Sequence, residues 1–282
     1  DRKVRINAAP IDVSKILRRV LFGGKSPVIL TSATMAVNGD LSGFASKVGA
    51  ESAEQFIVDS PFDYKKNMRV FYACDAPAYE RGVSRDNTEL CACIEKLCFL
   101  VKGGTLVLFT SYSELKKVGE YLKKSEVLAP RKILIQGETA GRSEMLRVFK
   151  NAGDAVLLGT DSFWTGVDVP GDALSQVVIT KLPFDNFSHP LIEAKMELAE
   201  SLGGSGFTDI MLPNAVIKFR QGVGRLIRTR KDRGAVVILD SRVASKGYGK
   251  FFLDALPTRA DRFRLANLET ELMPDYEDLG LM

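Results

Sequence analysis

Short apolar runs alternate with amphipathic stretches along most of the chain. The runs are rich in Val, Ile and Leu and end at polar residues, a pattern that predicts buried strands. The candidate strands are Val28–Thr31, Met68–Ala73, Thr105–Thr110, Ile133–Gln136, Ala155–Gly159, Gln176–Thr180 and Ala235–Asp240. Apolar residues recur at helical spacing between them, most clearly over Asp12–Phe22, Asp86–Val101, Ser113–Lys123, Arg142–Lys150 and Asn214–Arg228.

This alternation predicts an α/β fold with a parallel sheet covered by helices on both faces. Ligands of such sheets bind at the carboxyl ends of the strands, so the residues that follow each run are the candidates for chemistry. Most are small and polar, which suits contact with phosphates better than acid–base catalysis. They are Ser32-Ala33-Thr34, Thr110-Ser111-Tyr112, Thr160-Asp161-Ser162, Lys181-Leu182-Pro183-Phe184 and Asp240-Ser241-Arg242.

Composition narrows the class of protein. Of 282 residues, 45% are hydrophobic and 26% are charged, which is typical of a globular protein and excludes a disordered, collagenous or coiled-coil chain. No uncharged apolar run reaches the length of about 18 residues that a membrane helix needs. No apolar stretch follows Asp1, so a signal peptide is not expected. The chain also lacks an initiator Met, and we expect it to be a fragment of a longer protein.

The net charge of +4 does not by itself imply a nucleic-acid partner, but its distribution is uneven. Residues 265–282 hold five acids and no base, and we expect this acidic tail to be a solvated end. Residues 218–233 hold one acid, Asp232, and seven bases: Lys218, Arg220, Arg225, Arg228, Arg230, Lys231 and Arg233.

Metal-binding and nucleophilic chemistry find little support. Three cysteines, Cys91, Cys93 and Cys98, lie on different sides of one helical stripe, so we expect buried free thiols rather than a shared metal. Reduced thiols fit a cytoplasmic protein. The single histidine, His189, lies in a loop with no partner that the sequence identifies. A complete small hydrolase is therefore excluded.

Two glycine patterns resemble nucleotide-binding loops but fail on spacing. Gly24-Lys25-Ser26 would need a glycine at position 19, which is Arg19, and a strand before it. Gly222 and Gly224 would need a third glycine at Ile227 and lie within a predicted helix. The chain thus carries no loop of its own for holding a nucleotide with magnesium.

The predicted helix Asn214–Arg228 has two faces. One face is apolar, and Gln221, Arg225 and Arg228 share the other at spacing i, i+4, i+7. Glycines at 222 and 224 each cost about 1 kcal/mol relative to Ala, which predicts close packing or binding there. Arginines suit a phosphate site because guanidinium binds phosphate bidentately and stays charged when desolvated. A solvated amphipathic helix is the alternative.

Several segments together resemble the motifs of the DinG/XPD family of superfamily 2 DNA helicases. Residues 221–228, QGVGRLIR, are similar to motif VI. The other matching segments are Val28–Met35 (motif III), Ser60–Tyr64, Gly104–Tyr112 (motif IV), Gly159–Gly171 (motif V), Lys181–Phe184 and Asp240–Arg242. They follow the family's order from about residue 8 to Pro257, which makes the resemblance far more specific than any single motif.

The resemblance implies an ATP-dependent 5′-to-3′ DNA helicase of the repair or replication type, built from two RecA-like lobes with ATP and Mg²⁺ between them. This chain resembles the second lobe. Residues 1–60 would be a connecting segment with motif III and the closing strand of the first lobe, 61–260 the RecA-like lobe, and 261–282 the tail. Its partners would be single-stranded DNA and the N-terminal lobe of the same protein, as a monomer with no membrane. An iron–sulfur cluster, where present, belongs to the first lobe.

The resemblance also assigns roles to individual residues. Arg225 and Arg228 would be arginine fingers, Gln221 would position the phosphate or the attacking water, and Gly166 and Asp168 would lie beside the ATP cleft. Contacts to single-stranded DNA would come from Thr110, Ser111, Tyr112, Thr160, Ser162 and Trp164. Trp164 would stack on a base or, as the alternative, anchor the core. Thr165 departs from the family, which usually has Glu there.

Two functions follow as alternatives. The chain is either the second lobe of a working helicase, inactive as an ATPase by itself, or a helicase-like module that binds nucleic acid or a partner without hydrolysis. Gln221, Arg225 and Arg228 favour the helicase, because a module that never meets ATP has no physical use for them.

Overall fold

The computed structural model describes residues 8–36, 39–77, 87–138, 141–166, 169, 171 and 173–282. The chain divides into two compact units, Asp1–Asp59 with Phe184–Ile217 and Ser60–Pro183 with Lys218–Met282. In chain order the elements are α1 (Ser14–Val20), α2 (Ser42–Val48), α3 (Tyr64–Asn67), β1 (Met68–Ala73), α4 (Thr88–Leu100), β2 (Thr105–Leu108), α5 (Tyr112–Lys123), β3 (Ile133–Ile135), α6 (Arg142–Ala152), β4 (Val156–Gly159), α7 (Asp161–Trp164), β5 (Gln176–Ile179), α8 (Pro190–Ser201), a π-helical segment (Gly206–Met211), α9 (Leu212–Val223), β6 (Gly234–Ile238), α10 (Arg242–Ser245), α11 (Gly249–Asp254), β7 (Ala260–Phe263), a 3-10 turn (Leu265–Asn267) and α12 (Leu268–Asp278).

The larger unit is built on a parallel sheet with the strand order β3-β4-β2-β5-β6-β1-β7. Six of its strands coincide with predicted apolar runs. Central β2 places Val107 between Leu158 of β4 and Val178 of β5. Every residue of β2, β4, β5 and β6 is buried, because helices cover both faces of a parallel sheet. The predicted α/β class is confirmed.

The acidic C-terminal segment is part of this core, and the expectation of a solvated tail is wrong. Strand β7 extends the sheet beside β1, and the side chains of Leu272 and Tyr276 in α12 are fully buried. The acids lie on the outer face, where Asp275 and Asp278 pair with Arg69 at 2.8 and 2.6 Å. Apolar residues at helical spacing decide the burial of α12, whatever the net charge of the segment.

Helix α4 and its connection to β2 pack beside this segment. The three helical cysteines, Cys91, Cys93 and Cys98, are buried as predicted, and burial raises the pKa of Cys98 to about 12. Beyond the end of α4, the Arg131 guanidinium donates to the carbonyls of Val101, Lys102 and Gly103 at 2.8, 3.0 and 2.7 Å. Arg131 also donates to the carbonyl of Cys98, one of the carbonyls that the end of a helix leaves unpaired, so one guanidinium holds both the end of α4 and its connection to β2.

The predicted helix Asn214–Arg228 is shorter at its C-terminal end than the pattern indicates. Helix α9 stops at Val223, after which Gly224 makes the last helical bond to the carbonyl of Arg220 and the chain turns tightly. Arg225 and Arg228 therefore do not extend one helical face with Gln221. The apolar spacing continues past the turn because Leu226 and Ile227 are buried by tertiary packing.

The smaller unit contains α1, α2, α8 and the π-helical segment. Helix α1 confirms the predicted Asp12–Phe22 helix, but the predicted strand Val28–Thr31 is wrong. That run has no strand pairing among the described residues, and the side chain of Ile29 is 84% exposed. An apolar run becomes a buried strand only when neighbouring strands pair with it. Across the described residues, no helix is long and apolar enough to cross a membrane.

Candidate functional site

Three neighbouring strands of the larger unit, β3, β4 and β2, end in polar residues at the same edge of the sheet. Gln136 follows β3, Thr160 follows β4 and Thr110 lies just beyond β2. The exposure of Thr110 and the half-buried position of Thr160 agree with the predicted location of a ligand site. Parallel strands bring together these segments, which are distant in sequence.

Gln136 connects two of these segments. Its carboxamide oxygen accepts hydrogen bonds from the backbone N–H and the hydroxyl of Thr160, at 2.6 and 3.1 Å. Its Nε2 donates to Ser162 Oγ at 3.3 Å, and its carbonyl accepts from the Tyr112 hydroxyl at 2.6 Å. The sequence analysis missed Gln136 because it reads as the last residue of a strand. Its position, a polar residue after a short apolar run, was the available signal.

The segment after β2 divides its polar groups between the solvent and the next helix. Ser111 is the N-cap of α5, where its hydroxyl accepts from Glu114 N at 3.5 Å and lies 2.8 Å from Ser113 Oγ. Thr110 is exposed, and the Tyr112 side chain is 42% exposed. The polar group of Thr110 therefore faces the solvent more freely than that of Ser111, which stabilises the start of α5, whereas the Tyr112 hydroxyl is bonded to Gln136.

Trp164, one of the six predicted nucleic-acid contacts, is a core residue. Its side chain is fully buried, and its Nε1 donates to the Phe109 carbonyl at 3.0 Å. A ring without solvent access cannot stack on a base, so the stacking prediction is wrong and the core-anchor alternative is confirmed. Ser162, two residues earlier in α7, is exposed.

The loop after α7 is held by a side chain that the sequence analysis did not single out. Arg142, the first residue of α6, donates from Nη2 to the Thr165 carbonyl at 2.7 Å, and its guanidinium carbon lies 5.7 Å from the Phe163 ring centre. Gly166 has a φ of +70°, and a Cβ there would stand 2.6 Å from Arg142 Nη2. An arginine in the first turn opposes the helix dipole, which was a signal of another role. Asp168 lies outside the described residues.

Gln221, Arg225 and Arg228 follow one another around the end of α9. Gln221 and Arg225 are half-buried, and Arg225 Nε donates to the Gln221 carbonyl at 2.9 Å. Arg228 is exposed. A Cβ on neighbouring Gly222 would come within 2.8 Å of the Trp164 ring, which confirms close packing at that glycine. The end of α9, where Gln221 lies, is thus held against α7 by this packing.

Asp232 holds the turn that carries Arg228. Its carboxylate accepts from the backbone N–H groups of Arg228 and Thr229 at 2.8 Å each, and from the Thr229 hydroxyl at 2.6 Å. It also accepts from Gly171 N, in the segment after β4, at 3.2 Å. Burial alone would raise the pKa of Asp232, but these hydrogen bonds outweigh it and lower that pKa. The one acid of the basic stretch therefore organises it.

The segment after β5 is fixed on both sides. Lys181 Nζ lies 3.0 Å from Glu114 Oε1 of α5, with both side chains largely buried. The next residue, Leu182, donates its N–H to Asp240 Oδ2 at 2.8 Å, and Arg242 pairs with the same carboxylate at 2.6 Å. Burial opposes charge on Arg242, but the carboxylate more than offsets it and raises the Arg242 pKa. These ion pairs make the middle of the sheet edge a rigid platform.

Basic side chains dominate the exposed part of residues 218–233. Arg228, Arg230, Lys231 and Arg233 are exposed, whereas Lys218 pairs with Asp161 of α7 at 2.5 Å. Guanidinium and ammonium groups are hydrogen-bond donors only, so this surface suits an anionic, acceptor-rich ligand such as a phosphate chain.

Comparison with known proteins extends these observations. Residues 94–259 match the family model described as a helicase C-terminal domain. The chain is similar to the protein named 3′-5′ exonuclease DinG of Bacillus subtilis, with 39% identity over 90% of this chain and 28% of that protein. It is also similar to the ATP-dependent DNA helicase YoaA of Escherichia coli, with 38% identity over 91% of this chain and 39% of that protein.

A solved structure supports the fold independently. The structure named XPD_APO matches with a TM-score of 0.52 and 18% identity, covering 70% of this chain and 40% of that one. This likeness confirms the predicted RecA-like fold. The chain spans between about a quarter and two fifths of the length of these relatives.

Proposed function

Because the chain belongs to the helicase C-terminal domain family, as a DinG/XPD-like member, we propose that it is the second lobe of an ATP-dependent 5′-to-3′ DNA helicase. In this proposal ATP and Mg²⁺ are held mainly by a first lobe outside this chain, with residues 1–60 as the connection. This lobe supplies charge to the phosphates and grips single-stranded DNA. The observation that carries the proposal is that Gln221, Arg225 and Arg228 lie within eight residues of one another around the packed end of α9.

The residues at the end of α9 fit the phosphate side of a nucleotide. Gln221, Arg225 and Arg228 present amide and guanidinium donors and no carboxylate, which suits phosphate oxygens rather than the metal ion. The backbone bonds to Asp232 and the contact of Arg225 with the Gln221 carbonyl limit the motion of this turn. A limited range of motion reduces the reorganisation needed when charge develops on a phosphate.

The chemical role follows from charge. During phosphoryl transfer negative charge spreads over the oxygens of the transferred group, and Arg225 and Arg228 would neutralise it as arginine fingers. Gln221 would orient the terminal phosphate or the attacking water by its carboxamide. Gly166 and Asp168 would lie beside the same cleft, where the loop that contains them would couple the nucleotide state to the grip on DNA.

The polar residues that follow β2, β3 and β4 at the carboxyl ends of the strands suit contact with a nucleic-acid backbone. Thr110, Tyr112 and Ser162 are exposed, and Thr160 and Ser111 lie half-buried beside them. Hydroxyl contacts to phosphates position a strand without reading its sequence. We expect single-stranded DNA binding that is independent of sequence and that weakens as salt rises, because counterion release contributes to it.

A non-hydrolytic binding module is the alternative within the same fold. Such a module would bind nucleic acid through the polar residues after β2 and β4, and Arg225 and Arg228 would have no catalytic role. The name of the Bacillus subtilis relative adds exonuclease as an activity to be tested in the whole protein.

The deciding experiment compares Arg228→Ala with Arg230→Ala in the complete polypeptide that contains this chain. Both residues are exposed in the same basic stretch, so the pair matches for charge. For Arg228→Ala we expect a loss of DNA-stimulated ATP hydrolysis of about a thousandfold or more, the range of an arginine finger. Single-stranded DNA affinity should change by less than about threefold, the effect of one phosphate contact at moderate salt. Arg230→Ala should retain hydrolysis.

Three outcomes would count against the proposal. Normal hydrolysis by Arg228→Ala would remove the finger assignment and favour the binding module. Magnesium-dependent ATP turnover by the 282-residue chain alone would contradict a lobe that depends on a partner lobe. Degradation of a single-stranded oligonucleotide by the complete polypeptide without ATP consumption would indicate a nuclease.

A further inference from the structure

The hydrogen bonds around Gln136 define which of its two side-chain atoms is the oxygen. The backbone N–H of Thr160 is a donor only, and it lies 2.6 Å from Oε1. An amide nitrogen could not occupy that position, so the acceptor end of the Gln136 side chain faces Thr160. The donor end, Nε2, must then face Ser162.

This orientation assigns the hydroxyl hydrogens of the neighbouring residues. Thr160 Oγ1 lies 3.1 Å from an atom that only accepts, so its hydrogen is directed at Gln136. The Tyr112 hydroxyl likewise donates its hydrogen to the Gln136 carbonyl. Ser162 Oγ is different, because it accepts from Nε2 and its own hydrogen is not used in that bond.

A phosphate oxygen accepts hydrogen bonds and donates none. Of the hydroxyls in contact with Gln136, Ser162 is therefore the one that can donate to a phosphate without breaking a bond to this residue. Its side chain is exposed, while that of Thr160 is half-buried. The hydroxyl of Tyr112 is committed, but its 42% exposed ring remains available to a base.

We propose that Gln136 is a positioning residue for nucleic acid: its carboxamide anchors Thr160 and directs the hydroxyl hydrogen of Ser162 toward a backbone phosphate. This inference rests on the proposed function, since it specifies how the DNA edge of the lobe makes its contact. It divides the predicted hydroxyl contacts into a donor to the ligand, Ser162, and two structural donors, Thr160 and Tyr112.

Replacing Gln136 with Glu tests the division directly. A carboxylate keeps an acceptor for Thr160 but has no N–H for Ser162, so the Ser162 hydroxyl must turn and donate to residue 136 instead. The experiment is a double-mutant cycle of Gln136→Glu and Ser162→Ala in the complete polypeptide, with binding of a fluorescent oligothymidylate measured at low salt. We expect Ser162→Ala to weaken binding about tenfold in the parent and less than about twofold in Gln136→Glu. The added charge affects both arms of the cycle at position 136 and cancels.

A second pair needs no change at Gln136 and covers the case in which Gln136→Glu does not fold. Thr160→Val preserves the shape of the side chain and removes its hydroxyl. We expect it to weaken binding less than about threefold, against about tenfold for Ser162→Ala, because only the latter removes a donor to phosphate. Ser245→Ala on α10 and Thr270→Val on α12 are exposed controls and should bind like the parent.

Each outcome has a distinct meaning. If the parent binds and Ser162→Ala costs as much in Gln136→Glu as in the parent, the positioning role is wrong. A larger effect of Thr160→Val than of Ser162→Ala contradicts the assignment of donors. If the parent does not bind oligothymidylate at all, the proposed function is wrong, and so is this inference, which rests on it.

Discussion

Gly222 of α9 lies directly against the indole ring of Trp164: a Cβ atom at position 222 would stand 2.8 Å from Cε3 and 3.0 Å from Cζ3. The glycine therefore lets the helix that precedes the arginines approach the segment after β4. Because Trp164 is fully buried and bonded to the Phe109 carbonyl, its ring has little room to yield. This contact sets the distance between two segments that were predicted to share one site.

Substitution of Gly222 by alanine should destabilise the fold. The overlap with a buried ring lowers the free energy of unfolding by about 1–3 kcal/mol, and the higher helix propensity of alanine offsets at most about 1 kcal/mol of that loss. We expect a lower urea midpoint with an unchanged m-value. Gly247→Ala is the matched control, since its Cβ would meet nothing within 4 Å. Equal stabilities of the two variants would show that the ring moves aside.

The only tryptophan of the chain reports its own burial. We expect a blue-shifted emission that iodide barely quenches in the folded protein, and a red shift with efficient quenching in denaturant. Saturating oligothymidylate should leave the emission nearly unchanged, because Trp164 does not reach the ligand. Strong quenching by the oligonucleotide would contradict the core position of Trp164 and support stacking of its ring on a base.

The carboxylate of Asp232 should contribute stability that depends on pH. A lowered folded-state pKa means that the contribution is present above the unfolded pKa of about 3.9 and is lost as pH falls through the folded value. Asp232→Asn should lose about 1–3 kcal/mol at pH 7, because an amide accepts fewer of the hydrogen bonds. Urea titrations should show this gap narrowing at acidic pH. Exposed Asp254→Asn serves as the control, and a gap that does not change with pH would contradict the linkage.

Removal of the Arg131 side chain should weaken the connection between α4 and β2. Arg131→Ala leaves the carbonyls of Val101, Lys102 and Gly103 without this donor, and we expect a loss of about 2–3 kcal/mol in urea unfolding. Arg131→Lys should recover only part of it, since an ammonium group cannot span the three carbonyls. The neighbouring exposed Lys132→Ala should be neutral. A neutral Arg131→Ala would show that water replaces the guanidinium.

Local patterns predicted the sheet well and the ends of elements poorly. Six buried strands follow from apolar runs because each strand is covered on both faces, which leaves a strong signal in the sequence. Strand β7 was missed because it is the outermost strand of the sheet. Its residues Asp261 and Arg262 are exposed, so its sequence is not an apolar run. The end of α9 was misplaced because Leu226 and Ile227 keep the helical spacing after the helix has stopped.

The candidate site shows the same division. Its location after the strands and its phosphate-binding character were predicted from residue types, and the motif order identified the family. The roles of Gln136 and Arg142 were not predicted, since they act through groups that are 24 and 23 residues away in sequence. The role of Asp232 was not predicted either, because it includes a bond to Gly171, 61 residues away.

The sequence by itself determined the fold class, the family and the set of segments that meet at the sheet edge, because strand burial and ordered motifs are local in the chain. The tertiary structure alone decided that Trp164 is a core residue, that the acidic C-terminal segment completes the sheet, and that Gln136 distinguishes Thr160 from Ser162. The physical reason is that burial and the direction of a hydrogen bond depend on partners that only folding brings together.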